Sequence, residues 1–176
     1  MFHPKTRSLI SSMLLFLTTG SVHAQELKAG DPAPPFDLID QNNQEHRLQD
    51  YAGQWLVLYF YPKDDTPGCT TEACQFRDDY YALKEMGVVV LGVSLDDVKS
   101  HQEFAEKYHL PFPLLSDAEG SVASAYGSLT KFGPISFAKR HTFIIGPDGH
   151  IARVYTRVKP GEHSGEVIGD LRNLMH

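Results

Sequence analysis

The two cysteines of the chain, Cys69 and Cys74, lie five positions apart in the segment from Tyr61 to Cys74, Tyr-Pro-Lys-Asp-Asp-Thr-Pro-Gly-Cys-Thr-Thr-Glu-Ala-Cys. Two thiols at this spacing can act as a redox pair, in which one is oxidised and the other then closes a disulfide with it. A disulfide across so short a gap would remove little entropy from the unfolded chain. The pair is therefore predicted to be functional rather than structural.

Cys69 is the better candidate for the reactive thiol. The nucleophile must be a thiolate, whereas an ordinary cysteine, with a pKa of about 8.5, is mostly protonated at neutral pH. Cys69 comes at the start of a predicted helix, where unpaired N–H groups and the helix dipole favour negative charge. Thr66 can place a hydroxyl near the sulfur, and Arg140 is the best candidate for a cation from elsewhere. Pro62 stiffens the loop, and Gly68 lets the backbone approach a ligand.

Cys74 is predicted to lie on a different face of the same helix. At 3.6 residues per turn it lies about 140° around the helix axis from Cys69, beside Arg77 and Asp78, so we expect it to face solvent. The two Cα atoms would be about 8.7 Å apart in an intact helix, whereas a disulfide needs them within roughly 7 Å. At least one helical turn must therefore unwind before the two sulfur atoms can bond.

Two central elements position this segment. The apolar run from Trp55 to Tyr61 is typical of a strand buried on both faces. One helix is expected from about Gly68 to Met86, with Glu72 on a face other than the apolar stripe. The members of that stripe recur at helical spacing: Ala73, Phe76, Tyr80 and Leu83.

The remaining elements alternate between strand and helix. Around this segment the sequence predicts an N-terminal hairpin about Asp40–Asn43, a strand at 88–91, a helix at 98–109, a short strand at 114–115, a short helix at 119–126, a hairpin of strands 141–146 and 151–155, and a last amphipathic helix through 167–174. Alternating units demand parallel strands, and the hairpins add antiparallel ones. We expect an α/β fold with a mixed central sheet and helices on both faces.

The first 24 residues have the layout of a secretory signal peptide. Lys5 and Arg7 precede an apolar stretch, Leu9–Leu17, and small residues end at Ala24. The stretch is too short to span a bilayer, which takes roughly 20 residues. The predicted domains are therefore a signal peptide, 1–24, and one domain, 25–176. We expect a periplasmic or secreted protein, in a compartment where disulfides persist.

Charge and composition disfavour several function classes. The formal net charge is −6, and loss of Lys5 and Arg7 with the signal peptide would make it −8. So acidic a chain is a poor candidate for binding nucleic acid or anionic membranes. The nine histidines are scattered, and none has ligand spacing with another, so no metal site is predicted.

The segment Tyr61–Cys74 resembles the active-site segment of peroxiredoxins, above all the peroxiredoxin Q or bacterioferritin comigratory protein group. The resemblance runs from Gly30-Asp-Pro-Ala-Pro34 to Arg140 and the final helix. It implies a thioredoxin-like fold and a thiol peroxidase that uses no metal, haem or flavin. By resemblance, Cys69 is the peroxidatic cysteine, which attacks hydrogen peroxide or an organic hydroperoxide and becomes a sulfenic acid.

The same resemblance implies the other roles. Cys74 is the resolving cysteine, which forms an intramolecular disulfide with Cys69, while Thr66 and Arg140 position the peroxide and stabilise the thiolate. A thioredoxin-like protein is the expected reductant. An internal resolving cysteine makes a second subunit unnecessary, so a monomer is expected. The export signal departs from the family, whose members are mostly cytoplasmic or plastid, and it calls for an exported reductant.

Two other functions on the same fold are less compatible with the cysteine spacing. A general thiol–disulfide oxidoreductase would normally carry Cys-x-x-Cys. A copper-binding assembly protein would carry Cys-x-x-x-Cys and a distant histidine ligand. Four residues separate Cys69 from Cys74, so thiol peroxidase is the leading hypothesis.

Overall fold

The computed structural model describes residues 26–176. The predicted signal peptide lies outside these residues. A search of residues 26–176 finds no helix with the length and apolar character that a membrane span requires.

A seven-stranded mixed sheet forms the centre of the molecule. Its strands are β1 (Asp37–Asp40), β2 (Glu45–Arg47), β3 (Trp55–Phe60), β4 (Val88–Ser94), β5 (Leu114–Ser116), β8 (His141–Ile145) and β9 (Ile151–Tyr155). They lie in the order β2-β1-β5-β4-β3-β8-β9. Strand β3 pairs parallel with β4 and antiparallel with β8. The mixed sheet predicted from the alternating elements is confirmed.

Helices lie on both faces of the sheet. They are α1 (Pro67–Asp78), α2 (Tyr80–Glu85), α3 (Val98–Tyr108), α4 (Ser121–Ala125) and α5 (His163–Leu174), with a 3₁₀ turn at Leu48–Tyr51. Strand β3 separates two apolar cores: Val57 and Tyr59 pack with α1, while Leu58 and Phe60 pack with α4 on the other face. The prediction that this strand is buried on both faces is therefore confirmed.

One predicted element was wrong, and one element was not predicted. The helix expected over 68–86 is broken at Asp79, which has φ −92° and ψ 2° and whose carboxylate accepts a hydrogen bond of 2.6 Å from Ser164 Oγ of α5. This tertiary contact lies at the residue between α1 and α2, although the apolar stripe continues across the break. A two-stranded hairpin, β6 (Leu129–Phe132) and β7 (Ile135–Ala138), was not predicted at all.

The register between β3 and β8 brings Arg140 close to the loop that leads to Cys69. Phe60, the last residue of β3, lies opposite His141, the first residue of β8. Because the strands are antiparallel, the loop that leaves β3 toward Cys69 and the residue that precedes β8, Arg140, meet at the same edge of the sheet.

Candidate active site

Cys69 lies in the first turn of α1 and is only 1% exposed. The helix begins at Pro67, after the extended N-cap residue Thr66, so the predicted position at a helix N-terminus is confirmed. Proline has no N–H, and the N–H groups of Gly68 and Cys69 have no acceptor among the described residues. Unpaired N–H groups at a helix N-terminus favour an anion or a partly charged oxygen atom.

Arg140 contacts the thiol directly. Its Nη2 lies 3.2 Å from Cys69 Sγ, and its side chain is 20% exposed. Burial opposes the charge of the guanidinium, but Glu72 and Cys69 together raise the pKa of Arg140 above its usual value. The cation expected beside Cys69 is thus the arginine selected from the sequence. Its part in catalysis remains a prediction.

Glu72 is a site residue that the sequence analysis placed wrongly. It was expected on a face away from the apolar stripe, but it is fully buried, and one carboxylate oxygen, Oε2, accepts a hydrogen bond from Arg140 Nη1. The other oxygen, Oε1, has no partner among the described residues. Burial raises the pKa of Glu72 to about 7, although Arg140 opposes the rise.

Glu72 and Cys69 therefore share one guanidinium. An ionised Glu72 draws part of the positive charge of Arg140, whereas a protonated Glu72 leaves that charge to the sulfur. Because the pKa of Glu72 is raised to about 7, its protonation changes near neutral pH. The charge beside Cys69 consequently depends on Glu72 as well as on Arg140, and Glu72 was not expected at this site from the sequence.

The other predicted site residues surround the same turn. Thr66 directs its hydroxyl to Lys63 O, to which it donates a hydrogen bond of 3.0 Å, so the structure shows no contact of this hydroxyl with Cys69. Gly68 lies against Arg140: a Cβ at this position would be 3.1 Å from Nη2. Pro62 is half-buried at the start of the loop.

The loop between β3 and α1 is fastened to α3 by two consecutive carboxylates. Asp64, 6% exposed, accepts hydrogen bonds from Tyr61 Oη at 2.7 Å and contacts His101 Nδ1 at 2.8 Å. Asp65, in the left-handed region at φ 53°, binds Lys107 Nζ at 2.6 Å. The sequence analysis missed these anchors, for which the only signal was the Asp-Asp pair before the cysteine.

Comparison with known proteins decides the family. A sequence model described as the AhpC/TSA family matches residues 29–154. The chain belongs to the AhpC/TSA family. Within it, the chain is 46% identical to peroxiredoxin bcp of Coxiella burnetii over 149 residues, covering 82% of this chain and 99% of the relative. It is 40% identical to peroxiredoxin Bcp of Bacillus subtilis, covering 84% and 97%.

Solved structures of peroxiredoxins from the same group are similar to this chain in fold and in sequence. A mutant of Xylella fastidiosa PrxQ superposes with a TM-score of 0.81 at 34% identity, covering 86% of this chain and 99% of the other. The Xanthomonas campestris bacterioferritin comigratory protein, studied for its alkyl peroxide reduction activity, gives a TM-score of 0.76 at 33% identity, covering 80% and 92%. The thioredoxin-like fold and the thiol peroxidase activity implied by the resemblance are therefore confirmed, and the peroxiredoxin is of the Bcp/PrxQ group.

In this peroxiredoxin the second thiol lies apart from the first. Both cysteines are free, and α1 runs without a break through both. Cys74 is half-buried, whereas Cys69 is buried, so the expectation that Cys74 faces solvent holds only in part. No group of His, Cys, Asp and Glu side chains within residues 26–176 could hold a metal ion.

Proposed function

We propose that Cys69 is the peroxidatic nucleophile of this thiol peroxidase. Its thiolate attacks one oxygen atom of the peroxide, so that an S–O bond forms and the O–O bond breaks. The second oxygen leaves as an alkoxide or hydroxide and takes up a proton, which gives an alcohol or water and leaves Cys69 as a sulfenic acid. The observation that carries this proposal is the contact of Arg140 Nη2 with Cys69 Sγ at the N-terminus of α1.

The surrounding groups suit that reaction. The guanidinium of Arg140 favours the thiolate before the reaction and can stabilise the negative charge that moves to the peroxide oxygens as the O–O bond breaks. The unpaired N–H groups of Gly68 and Cys69 can donate to the same oxygens. The family resemblance gives Thr66 a role in positioning the peroxide, and Thr66 is the N-cap residue of α1, three positions before Cys69.

Cys74 is proposed as the resolving cysteine. Its thiolate attacks Cys69 Sγ, the S–S bond forms as the S–O bond breaks, and the oxygen leaves as hydroxide, which becomes water. In intact α1 the two Cα atoms are about 8.7 Å apart, beyond the roughly 7 Å that a disulfide permits. The helical turns between Cys69 and Cys74 must open first, which links resolution to local unfolding of α1.

The substrates and reductant are proposed from the family and the sequence. Hydrogen peroxide and organic hydroperoxides are the proposed substrates, because the Xanthomonas relative is described for alkyl peroxide reduction. A thioredoxin-like protein is the proposed reductant, acting on a monomer. If residues 1–24 direct export, that reductant must be an exported one.

Peroxide consumption by the purified protein with dithiothreitol tests the proposal. We expect turnover of hydrogen peroxide and of an alkyl hydroperoxide by the wild type, and loss to the uncatalysed background in Cys69→Ser. The matched control, Cys74→Ser, should still consume the first equivalent of peroxide. Full activity of Cys69→Ser would refute the assignment of the nucleophile.

A further inference from the structure

Glu72 lies between the two cysteines, in the helical turns that must open before the thiols can bond. Its side chain is completely buried, and its one cationic partner among the described residues is Arg140, which binds Oε2 through Nη1. The second carboxylate oxygen, Oε1, has no hydrogen-bond partner within residues 26–176. Such a carboxylate is costly in the closed helix, because water would hydrate both of its oxygens once the segment unfolds.

The chain is anchored on both sides of this segment. Before it, Asp65 binds Lys107 of α3 at 2.6 Å. After it, Arg77 Nη1 donates to Tyr108 O of α3 at 2.9 Å. These contacts allow residues 67–76 to open while the flanking chain stays attached to α3.

Arg140 forms the one side-chain tie between this segment and the rest of the described structure. It contacts Cys69 Sγ and Glu72 Oε2, whereas the hydroxyl of Thr71 donates within the segment, to Pro67 O at 2.8 Å. The balance between burial of Glu72 and its attraction to Arg140 therefore bears directly on whether the segment stays closed.

Burial prevails in that balance. It raises the pKa of Glu72 from 4.5 to about 7, although Arg140 opposes the rise. A pKa that is higher in the closed helix means that protonation favours the closed form, and that this contribution is lost as pH rises toward 7. Above that pH the ionised carboxylate favours the open form, in which it returns to water.

The other ionisable groups around this part of α1 leave the balance in place. Tyr59 of β3 stays neutral, because burial raises its pKa well above the usual value. Burial lowers the pKa of His163 of α5, so that it too is neutral above pH 7. Asp64, in the loop before α1, is held by its own hydrogen bonds, and Cys69 competes with Glu72 for Arg140.

We propose that the buried carboxylate of Glu72 drives the local opening of α1 and so lets Cys74 reach the sulfenic acid at Cys69 before a second peroxide does. The inference rests on the proposed role of Cys74 as the resolving cysteine. A second peroxide would transfer one oxygen atom to the sulfenic acid, giving a sulfinic acid and releasing water or an alcohol. Opening competes with this over-oxidation, from which Glu72 thus protects Cys69.

The test compares disulfide formation with over-oxidation in Glu72→Gln, which keeps the size of the side chain and removes its charge. Reduced protein is mixed with one equivalent of hydrogen peroxide, quenched at intervals and analysed by intact mass for sulfenic acid and disulfide. A parallel series with excess peroxide measures sulfinic acid. Glu72→Asp keeps the charge, and Glu85→Gln, which removes an exposed carboxylate of α2, is the matched control.

The charge should set the rate of the resolving step. At about pH 8, Glu72→Gln should form the disulfide roughly fivefold to twentyfold more slowly than the wild type and accumulate more sulfinic acid. The ratio of the two rates should be at least about threefold smaller at about pH 5.5. Any pH dependence of Cys74 is common to both proteins and cancels in this ratio. Glu72→Asp and Glu85→Gln should stay within about threefold of the wild type.

Amide hydrogen exchange measures the opening itself, independently of Cys74. In the reduced proteins at about pH 8, peptides that cover residues 67–76 should exchange more slowly in Glu72→Gln than in the wild type. The same peptides in Glu85→Gln should exchange at the wild-type rate.

Two results would overturn the role of Glu72. Faster disulfide formation and faster exchange in Glu72→Gln would mean that the ion pair with Arg140 holds the helix closed. Equal rates in Glu72→Gln and Glu85→Gln would mean that the buried charge has no effect. Failure of the proposed function has a separate signature, normal recycling of Cys74→Ser with a thioredoxin-type reductant, and exchange of residues 67–76 would then still decide whether Glu72 opens the helix.

Discussion

Cys69 and Cys74 share helix α1 but face different parts of the molecule. Cys69 is buried at the N-terminus against Arg140, which reaches it from the start of β8, 71 residues later in the chain. Cys74 is half-buried, and its charged neighbours, Arg77 and Asp78, come from its own helix. The cation that contacts the first thiol comes from a distant strand, whereas the charged residues nearest the second in sequence belong to its own helix.

The difference separates two requirements of the reaction. Attack on peroxide needs a fixed constellation of thiolate, guanidinium and N–H donors, because such groups stabilise developing charge only when they are already oriented. Disulfide formation needs movement, because an intact helix keeps the two thiols apart. One helix meets both needs by placing the nucleophile at its N-terminus, against Arg140, and its partner five positions later on another face.

Removal of the Cys74 thiol should have the largest effect, because it should stop recycling and leave the peroxide reaction at Cys69 unchanged. Cys74→Ser should reduce the first equivalent of peroxide at the wild-type rate and then fail to recycle with a thioredoxin-type reductant, because no partner remains to form the disulfide. A single-turnover burst followed by steady-state assay measures both rates. Normal recycling in this variant would show that the two thiols are not partners.

Loss of the Arg140 guanidinium should affect only the reaction of Cys69 with peroxide. Arg140→Gln should lower the second-order rate constant for peroxide by about 10²- to 10³-fold, the usual loss on removing one preorganised charge-stabilising donor. Arg153→Gln is the matched control, since Arg153 is an exposed arginine that pairs with Asp170. Competition kinetics against a peroxidase of known rate can measure the constant. An effect of Arg140→Gln no larger than that of the control would show that Arg140 takes no part in the reaction with peroxide.

The buried carboxyl of Glu72, which pairs with the arginine beside Cys69, predicts a pH dependence of stability. Its pKa is raised from 4.5 to about 7 in the folded protein, so between these values the folded state binds more protons than the unfolded state. The free energy of unfolding therefore falls as pH rises through this window, by up to about 3 kcal/mol. Glu72→Gln lacks this titration and should lose correspondingly less stability.

Urea unfolding at about pH 5 and about pH 8 measures the difference. Glu85→Gln, which removes an exposed carboxylate in α2, should retain the wild-type pH dependence. If Glu72→Gln also retained it, the carboxyl would titrate normally in the folded protein, and its burial would carry no cost.

The smallest expected effect concerns the space beside the guanidinium. Gly68→Ala puts a Cβ 3.1 Å from Arg140 Nη2, so the guanidinium must shift by a few tenths of an ångström. The peroxide rate constant should fall by roughly threefold to tenfold, corresponding to about 1 kcal/mol. Gly165→Ala in α5, where a Cβ would meet nothing within 4 Å, is the control. An equal response in both variants would mean that Gly68 has no special part.

The elements that carry strong periodicity were predictable from the sequence. The apolar run of β3 and the proline and glycine before Cys69 reflect local physics, namely burial of a strand and initiation of a helix. The position of Cys69 at the start of α1 followed from these signals. Arg140 was selected with the help of a family resemblance, since nothing local distinguishes it from other arginines.

The failures arose where tertiary contacts override local pattern. Glu72 looks like a surface residue by type, and only Arg140, 68 residues away, makes its burial tolerable. At the break, Asp79 is bonded to Ser164 of α5, 85 residues away. Neither partner is visible from helical periodicity, which reports on one segment at a time.

The pairing of β3 with β8 also determines when the protein becomes reactive during folding. Cys69 and Arg140, 71 positions apart, meet when β8 pairs with β3, and the entropy of loop closure opposes such nonlocal pairing. A chain that has not completed this pairing lacks the arginine beside Cys69. Rapid reaction with peroxide is therefore acquired with the completed fold, and in refolding experiments it should appear together with the β3–β8 pair.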